Sequence, residues 1–171
     1  MIISGYEYRK SPPYKNVYLT GIVRDKLGRK MSKQLGNSPD PINLIKEFGA
    51  DAVRVGIMMS SPAGNDLLFD KSLCQQGKNF ANKIWNSYRL ISSLKSTEKT
   101  EIDNIIDEGM DWYEDYFNYN LNLINDDFKN YKISDALIKV YRLIWDGFCS
   151  NLLEIIKPEI GNYISVKNKL R

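Results

Sequence analysis

Apolar and polar positions alternate along this chain in two rhythms. Over residues 16–23 the β-branched and aromatic side chains Val17, Tyr18, Thr20, Ile22 and Val23 crowd together, which predicts a short strand. Pro12-Pro13 predicts that no helix precedes it. Asp25-Lys26-Leu27-Gly28 is a turn signal, and residues 29–37 read as an exposed, mobile loop. Helical spacing begins at Asp40, an N-cap with Pro41 at the first helical position, and Gly49 closes that short helix. A second short helix is expected over about 50–60, then a loop over 62–66.

From Asp70, a further N-cap, a long helix is predicted to about residue 94, with Leu73, Gly77, Phe80, Ile84, Tyr88 and Ile91 on one buried face. After a polar break at 96–100, Ile105, Trp112, Tyr116, Leu123 and Phe128, flanked by Ile106, Tyr113, Phe117 and Ile124, mark a second long helix over about 102–128. Ser134 is expected to cap a third, whose buried positions are Leu137, Val140, Tyr141, Ile144, Phe148, Leu152 and Ile156, until Pro158 stops it. Three amphipathic helices joined by short links predict an antiparallel bundle.

Composition narrows the chemistry. With 171 residues and 43% apolar content the chain can bury one good core and part of a second. Its formal charge of +3, from 24 basic and 21 acidic residues, makes any nucleic-acid contact a matter of local patches. Histidine is absent, which excludes His-based triads and the commonest general base. Cys74 and Cys149 lie apart within apolar patterns, as buried thiols of a reducing compartment would, and no protein metal site is expected. No apolar run approaches the roughly 20 residues that span a bilayer, so a cytoplasmic location without membrane contact is expected.

Polar chemistry concentrates in the loop. Lys30-Met31-Ser32-Lys33 sets two primary amines three residues apart in a glycine-flanked segment, an arrangement able to fold charge and a hydroxyl around a polyphosphate. By spacing alone, two lysines in a polar loop are ordinarily solvated bystanders. Lys71, Lys78 and Arg89, with Gln75 and Asn82, fall on one side of the first long helix, either as a plain wet face or as a track for RNA backbone. Trp85 is expected to pack against the preceding small domain, and Trp112 and Trp145 to lie in core stripes. Asp51 and Arg54, three apart, form an ion pair or a cap.

The wider context gives the loop a meaning. Residues 28–37, Gly-Arg-Lys-Met-Ser-Lys-Gln-Leu-Gly-Asn, resemble the signature loop of class I aminoacyl-tRNA synthetases, Lys-Met-Ser-Lys-Ser, with Gln34 at the fifth position. Asp40-Pro41 and residues 49–54 are similar to the segment downstream of that loop in the isoleucyl, leucyl and valyl branch. Residues 5–8, 16–25, 64–70, 79–86 and 133–137, together with Phe148-Cys149 and Glu154, look valyl-like. Asn151-Leu152 stands where that family usually has Trp-Tyr.

The resemblance implies that Lys33 is the principal ATP-phosphate ligand and catalytic residue, that Lys30 supports it, and that Ser32 and Met31 complete the ATP-binding loop. ATP with Mg²⁺, valine and a valine-specific tRNA are then the expected substrates. The expected fold is mainly α: a C-terminal remnant of an α/β Rossmann-type catalytic domain over 1–37, connector helices over 38–70, and an anticodon-binding antiparallel bundle over 71–171. The family's second, His-containing ATP motif cannot be present in a histidine-free chain. The expectation is therefore a piece of a longer enzyme, inactive alone, frayed after Pro158, with Met1 an internal or artificial start. An isoleucyl or leucyl enzyme, a stand-alone helical RNA-binding module and a protein-interaction module remain as alternatives.

Overall fold

A computed structural model of the protein describes residues 1–93 and 104–156. The chain opens with a helix, α1 (Ile2–Arg9), ahead of the proline pair that was expected to exclude one. Proline restricts the residue directly before it and the turn it would complete, and Pro12 lies beyond both. The helix ends at Lys10, which turns left-handed (φ 53°) and donates its N–H to the Tyr6 carbonyl. None of its residues is buried.

The expected strand is shorter than its composition suggests. Only Val23–Arg24 (β1) pairs, in parallel, with Leu67–Leu68 (β2), Val23 opposite Leu67 and Arg24 opposite Leu68. Segment 62–66, expected as loop, delivers β2 to this ladder, and Asp66 locks it by accepting from the Ile22 N–H and the Arg24 guanidinium. Residues 16–22 stay outside the assigned ladder, joined to the facing segment through the backbone where Leu19 O accepts from the Gly64 N–H and Ile22 O from the Leu67 N–H, because propensity favours a strand but the ladder needs a facing one.

Two short helices come next, as their caps foretold. Asp40 accepts from the Ile42 N–H at 2.9 Å and Pro41 opens α2 (Pro41–Phe48). Gly49, at φ 94°, separates it from α3 (Ala50–Met59). Asp70 caps α4 (Lys71–Ser93) by accepting from the Ser72 N–H at 3.0 Å. Leu44, Val53, Phe69 and the free thiol Cys74 form the first core, joined by Met31, Phe48 and Ile57.

Helices α5 (Asn104–Lys129) and α6 (Ile133–Arg142) turn on Tyr131, at φ 59°. α6 runs without a break into a π-helical stretch (Leu143–Leu152) and α7 (Leu153–Ile156). Pairing gives the directions: Ile124 packs with Ala136, Gly147 abuts Tyr116, and Gly109 abuts Ile155, so this continuous helix runs antiparallel to α5. Phe80 meets Tyr141 (5.0 Å between centroids), Lys83 lies over Trp145 (5.2 Å) and Ser87 meets Cys149 (3.1 Å), so α4 runs parallel to it.

The π-helical stretch departs from the plain helix expected there. Its wider turn adds Leu143 and Gly147 to the buried positions, beside Cys149 and Leu153, while Leu152 and Ile156 are buried as expected, and Ser150 Oγ donates to Trp145 O five residues back. Ser134, expected as a cap, instead donates to the Met59 carbonyl at 2.7 Å and ties α6 to α3. Ile106, Met110, Cys149, Leu152, Leu153 and Ile156 form the second core, and at its edge Ser87 Oγ donates to Lys83 O, leaving the Cys149 thiol to donate to Ser87.

The expected stripe along α4 holds at Gly77 and Phe80, and Ile91 packs beside the second core, but Ile84 and Tyr88 depart from it. Cys74, Gly77, Phe80 and Ser87 are buried, whereas Ile84, Trp85 and Tyr88 line an open apolar groove with Val55 of α3. Trp85 is 58% exposed, against the packing role expected of it, and touches Tyr88. Trp112, expected in a core stripe, is likewise exposed while stacking on Tyr116.

Tyr113 packs beside this core, and its phenol is pushed up to about 12, first by burial and then by Cys149 and Tyr116. The neutral phenol is thus favoured in the folded state. Its contribution is intact below pH ~10, the ordinary tyrosine value, and is lost as pH rises towards 12. Tyr113→Phe is expected to flatten the alkaline fall in stability over that window, measured by urea unfolding at stepped pH. An unchanged pH profile would contradict the burial of the phenol.

Candidate functional site

The lysine loop is a framed hairpin. The Asp25 N–H donates to Arg29 O (2.9 Å), the Gly28 N–H to Asp25 O (2.9 Å) and the Met31 N–H to Val23 O (3.0 Å), with Lys30 bridged antiparallel to Arg24. Gly28 sits at φ 77°, a conformation that costs an L side chain ~1–2 kcal/mol, which is why glycine closes this turn. A second turn spans Lys33 to Gly36, where the Gly36 N–H donates to Lys33 O at 3.2 Å and φ is 64°.

Two side chains join these turns. Asp25, largely buried, accepts at Oδ1 from the Leu27 and Arg29 N–H groups (3.0 and 2.9 Å). At Oδ2 it accepts from the Arg29 guanidinium (2.7 Å) and from Asn37 Nδ2 (2.9 Å). The Asn37 amide and then Arg29 hold its carboxyl well below the usual carboxylate range, against burial, which works the other way. Asn37 Oδ1 in turn accepts from the Ser32 N–H (2.8 Å), and its Nδ2 also reaches Lys30 O (3.3 Å).

The residues singled out from the sequence fall on different parts of this frame. Lys30 and Lys33 are both exposed, and no ion pair among the described residues engages either. Ser32 is half-buried, its Oγ accepting from the Gln34 N–H at 3.2 Å. Met31 packs on the first core and anchors the loop between the two amines. Sequence reasoning passed over Asp25, Arg29 and Asn37 as parts of the site. The signals were an aspartate opening a turn that ends in glycine, and an asparagine directly after Gly36.

The basic side of α4 is partly committed. Lys71 pairs with Glu47 at 2.8 Å and Lys78 Nζ donates to the Glu47 carbonyl at 3.3 Å, so both pin α4 to α2. Arg89 remains exposed. Asp51 and Arg54 form a solvent-facing pair at 3.8 Å, worth little to stability. Among the described residues no group of three or more acidic, Cys or His side chains is placed to hold a metal, and no helix is long and apolar enough to cross a membrane.

Comparison with known proteins gives one direction. A model of the family described as tRNA synthetases class I (I, L, M and V) matches residues 1–70. The chain is 54% identical over 167 residues to the valine–tRNA ligase of Christiangramia forsetii, covering 98% of this chain and 19% of that protein. It is 50% identical over 171 residues to the valine–tRNA ligase of Porphyromonas gingivalis, again over 98% of this chain and 19% of the relative. It therefore spans about a fifth of the length of these curated relatives. Its fold is similar to a chain of the LeuRS–tRNA–LeuAMS ternary complex from Agrobacterium radiobacter, with a TM-score of 0.64 and 19% identity, over 98% of this chain and 23% of that one.

Proposed function

Because the chain belongs to the class I tRNA synthetase family, we propose that it is the part of a valine–tRNA ligase that brings cationic charge to the ATP phosphates and begins the grip on tRNA. In this reading residues 1–37 end the nucleotide-binding domain, 38–70 connect, and 71–171 contribute to the tRNA-binding bundle. One observation carries it: Lys30 and Lys33 stand exposed, with no acidic partner among the described residues, on a loop whose backbone is held from both sides.

The chemistry comes from that geometry. Attack of the valine carboxylate on the ATP α-phosphorus breaks the bond to pyrophosphate, and negative charge grows on the leaving group. An ammonium group that draws closer as this charge develops lowers the barrier more than it tightens ground-state binding. No acid or base is required, which suits a chain without histidine. Mg²⁺ arrives with the triphosphate as part of the substrate. The acceptor atoms of Asp25, the carboxylate tied into the loop, are already engaged by Arg29, Asn37 and the turn.

Valine specificity rests on the relatives, which are valine–tRNA ligases. The complete enzyme carrying this chain is expected to show valine-dependent ATP–pyrophosphate exchange and to charge valine tRNA. Exchange driven by isoleucine or leucine instead would move the assignment to a sister branch. Affinity for tRNA should fall steeply with salt, as phosphate contacts require. A flat salt response would favour a protein-interaction role for the helices.

A further inference from the structure

The proposed chemistry uses two amines but leaves unexplained how a loop of glycines and lysines holds them in place. The Asn37 amide sits between the two turns and makes three contacts at once: to the Asp25 carboxylate (2.9 Å), to the Ser32 N–H (2.8 Å) and to the Lys30 carbonyl (3.3 Å). It therefore fixes the peptide groups on both sides of Met31, whose side chain is held in the core. Asp25 closes the circuit from the other side, engaging the Leu27 and Arg29 N–H groups as well as Asn37.

We infer that Asp25 and Asn37 form a clamp that presets the lysine loop for phosphate, positioning Lys30 and Lys33 without touching the nucleotide themselves. Arg29 is the third member. It occupies the carboxylate at 2.7 Å, so the one buried acid in the hairpin is neutralised by a residue other than the two amines. The lysines stay available because their nearest competitor for a counter-ion already has it. Asp25 gathers the first turn and Asn37 the second, while their mutual hydrogen bond sets the distance between turns. A displaced supporting group of this kind can cost about 10²-fold in rate, since small errors of placement are magnified in the transition state.

The inference rests on the reading of Lys30 and Lys33 as phosphate ligands, and a mutant cycle in the complete enzyme separates the two. Asn37→Asp keeps shape but sets two carboxylates against each other, and Asp25→Asn removes the charge that Arg29 and Asn37 share. Both are expected to lower kcat of valine-dependent ATP–pyrophosphate exchange about 10²-fold, with KM for valine and affinity for tRNA unmoved. The exchanged pair Asp25→Asn with Asn37→Asp restores only the amide-to-carboxylate contact, leaving Arg29 and the Lys30 carbonyl without their partners, and should recover no more than a small part of the loss.

The decisive comparison adds Asn37→Asp to Lys33→Ala. A clamp acting through Lys33 makes the double variant little worse than Lys33→Ala alone, because coupled residues fail to add. Full multiplication of the two losses would overturn the clamp, as would normal exchange in Asn37→Asp beside a crippled Lys33→Ala. Normal exchange in Lys33→Ala would instead overturn the phosphate reading beneath it. Should Asn37→Asp unfold, Asn37→Ser, which removes the reach to Asp25 without adding charge, takes its place in the same cycle.

Discussion

Lys33→Ala is expected to lower valine-dependent ATP–pyrophosphate exchange by ~10² to 10³-fold, about 3–4 kcal/mol of transition-state stabilisation, by the measure of other well-aimed charge-stabilising donors. The expectation comes from where the amine stands. Lys33 opens the second turn of the loop, is exposed, and has no acidic partner among the described residues, so its charge is uncommitted in the resting structure. An ammonium already paired would have to break that pair before helping phosphate, and its removal would cost less. Lys30 lies in the bridged part of the hairpin and should give a smaller loss in the same direction.

The loss should fall on kcat and on kcat/KM for ATP, while tRNA affinity and KM for valine stay close to the parent enzyme. Lys33→Arg is expected to restore part of the rate only, since a planar guanidinium carries the charge on a longer, differently shaped fork. Parallel loss of exchange and tRNA binding would mean that Lys33 supports the fold or the RNA contact, and the assignment to phosphate would fail.

Much of this was legible in the residues because it depends on short-range rules. Asp40, Pro41, Gly49 and Asp70 bound their helices where capping chemistry puts them, since each acts within one turn of itself. The lysine loop was legible as a signature, and the two cysteines as buried thiols. The features that escaped depend on partners far along the chain. β2 forms because Asp66 reaches Ile22 and Arg24, over forty residues away, and no local pattern carries that information. The π-helical stretch buries Leu143 and Gly147, which an α-helical count left off the core face, while Ile144 and Phe148 pack half-buried against the core and Leu152 and Ile156 are fully buried as expected. Trp85 and Tyr88 keep a helical spacing with Phe80 yet face an open groove, because the apolar stripe of α4 is wider than the surface α3 offers it.

The loop also depends on helix packing some distance away, and here Gly77→Ala is the sharpest probe. A Cβ on Gly77 would stand 2.1 Å from the Ala52 carbonyl oxygen, and one on Gly56 would stand 2.2 Å from the Leu73 carbonyl oxygen. The two glycines thus face opposite backbones where α3 crosses α4, and neither obstruction is a side chain that can swing aside. Alanine gains about 1 kcal/mol of helix propensity over glycine, but overpacking of a closed contact typically costs about 1–3 kcal/mol and more when the backbone must yield. The net expectation is destabilisation by about 2 kcal/mol, read as a lowered urea midpoint with little change in slope. Ala52 adjoins Val53, one of the core residues on which Met31 rests, so the displaced helix should also loosen the anchor between Lys30 and Lys33. Exchange activity is then expected to drop below that of the parent even at temperatures where Gly77→Ala remains folded. Gly28→Ala makes the contrast, because its Cβ meets nothing within 4 Å and its cost is the left-handed backbone alone, ~1–2 kcal/mol. A neutral Gly77→Ala would show slack at the helix crossing and would detach the loop's placement from the packing beneath it.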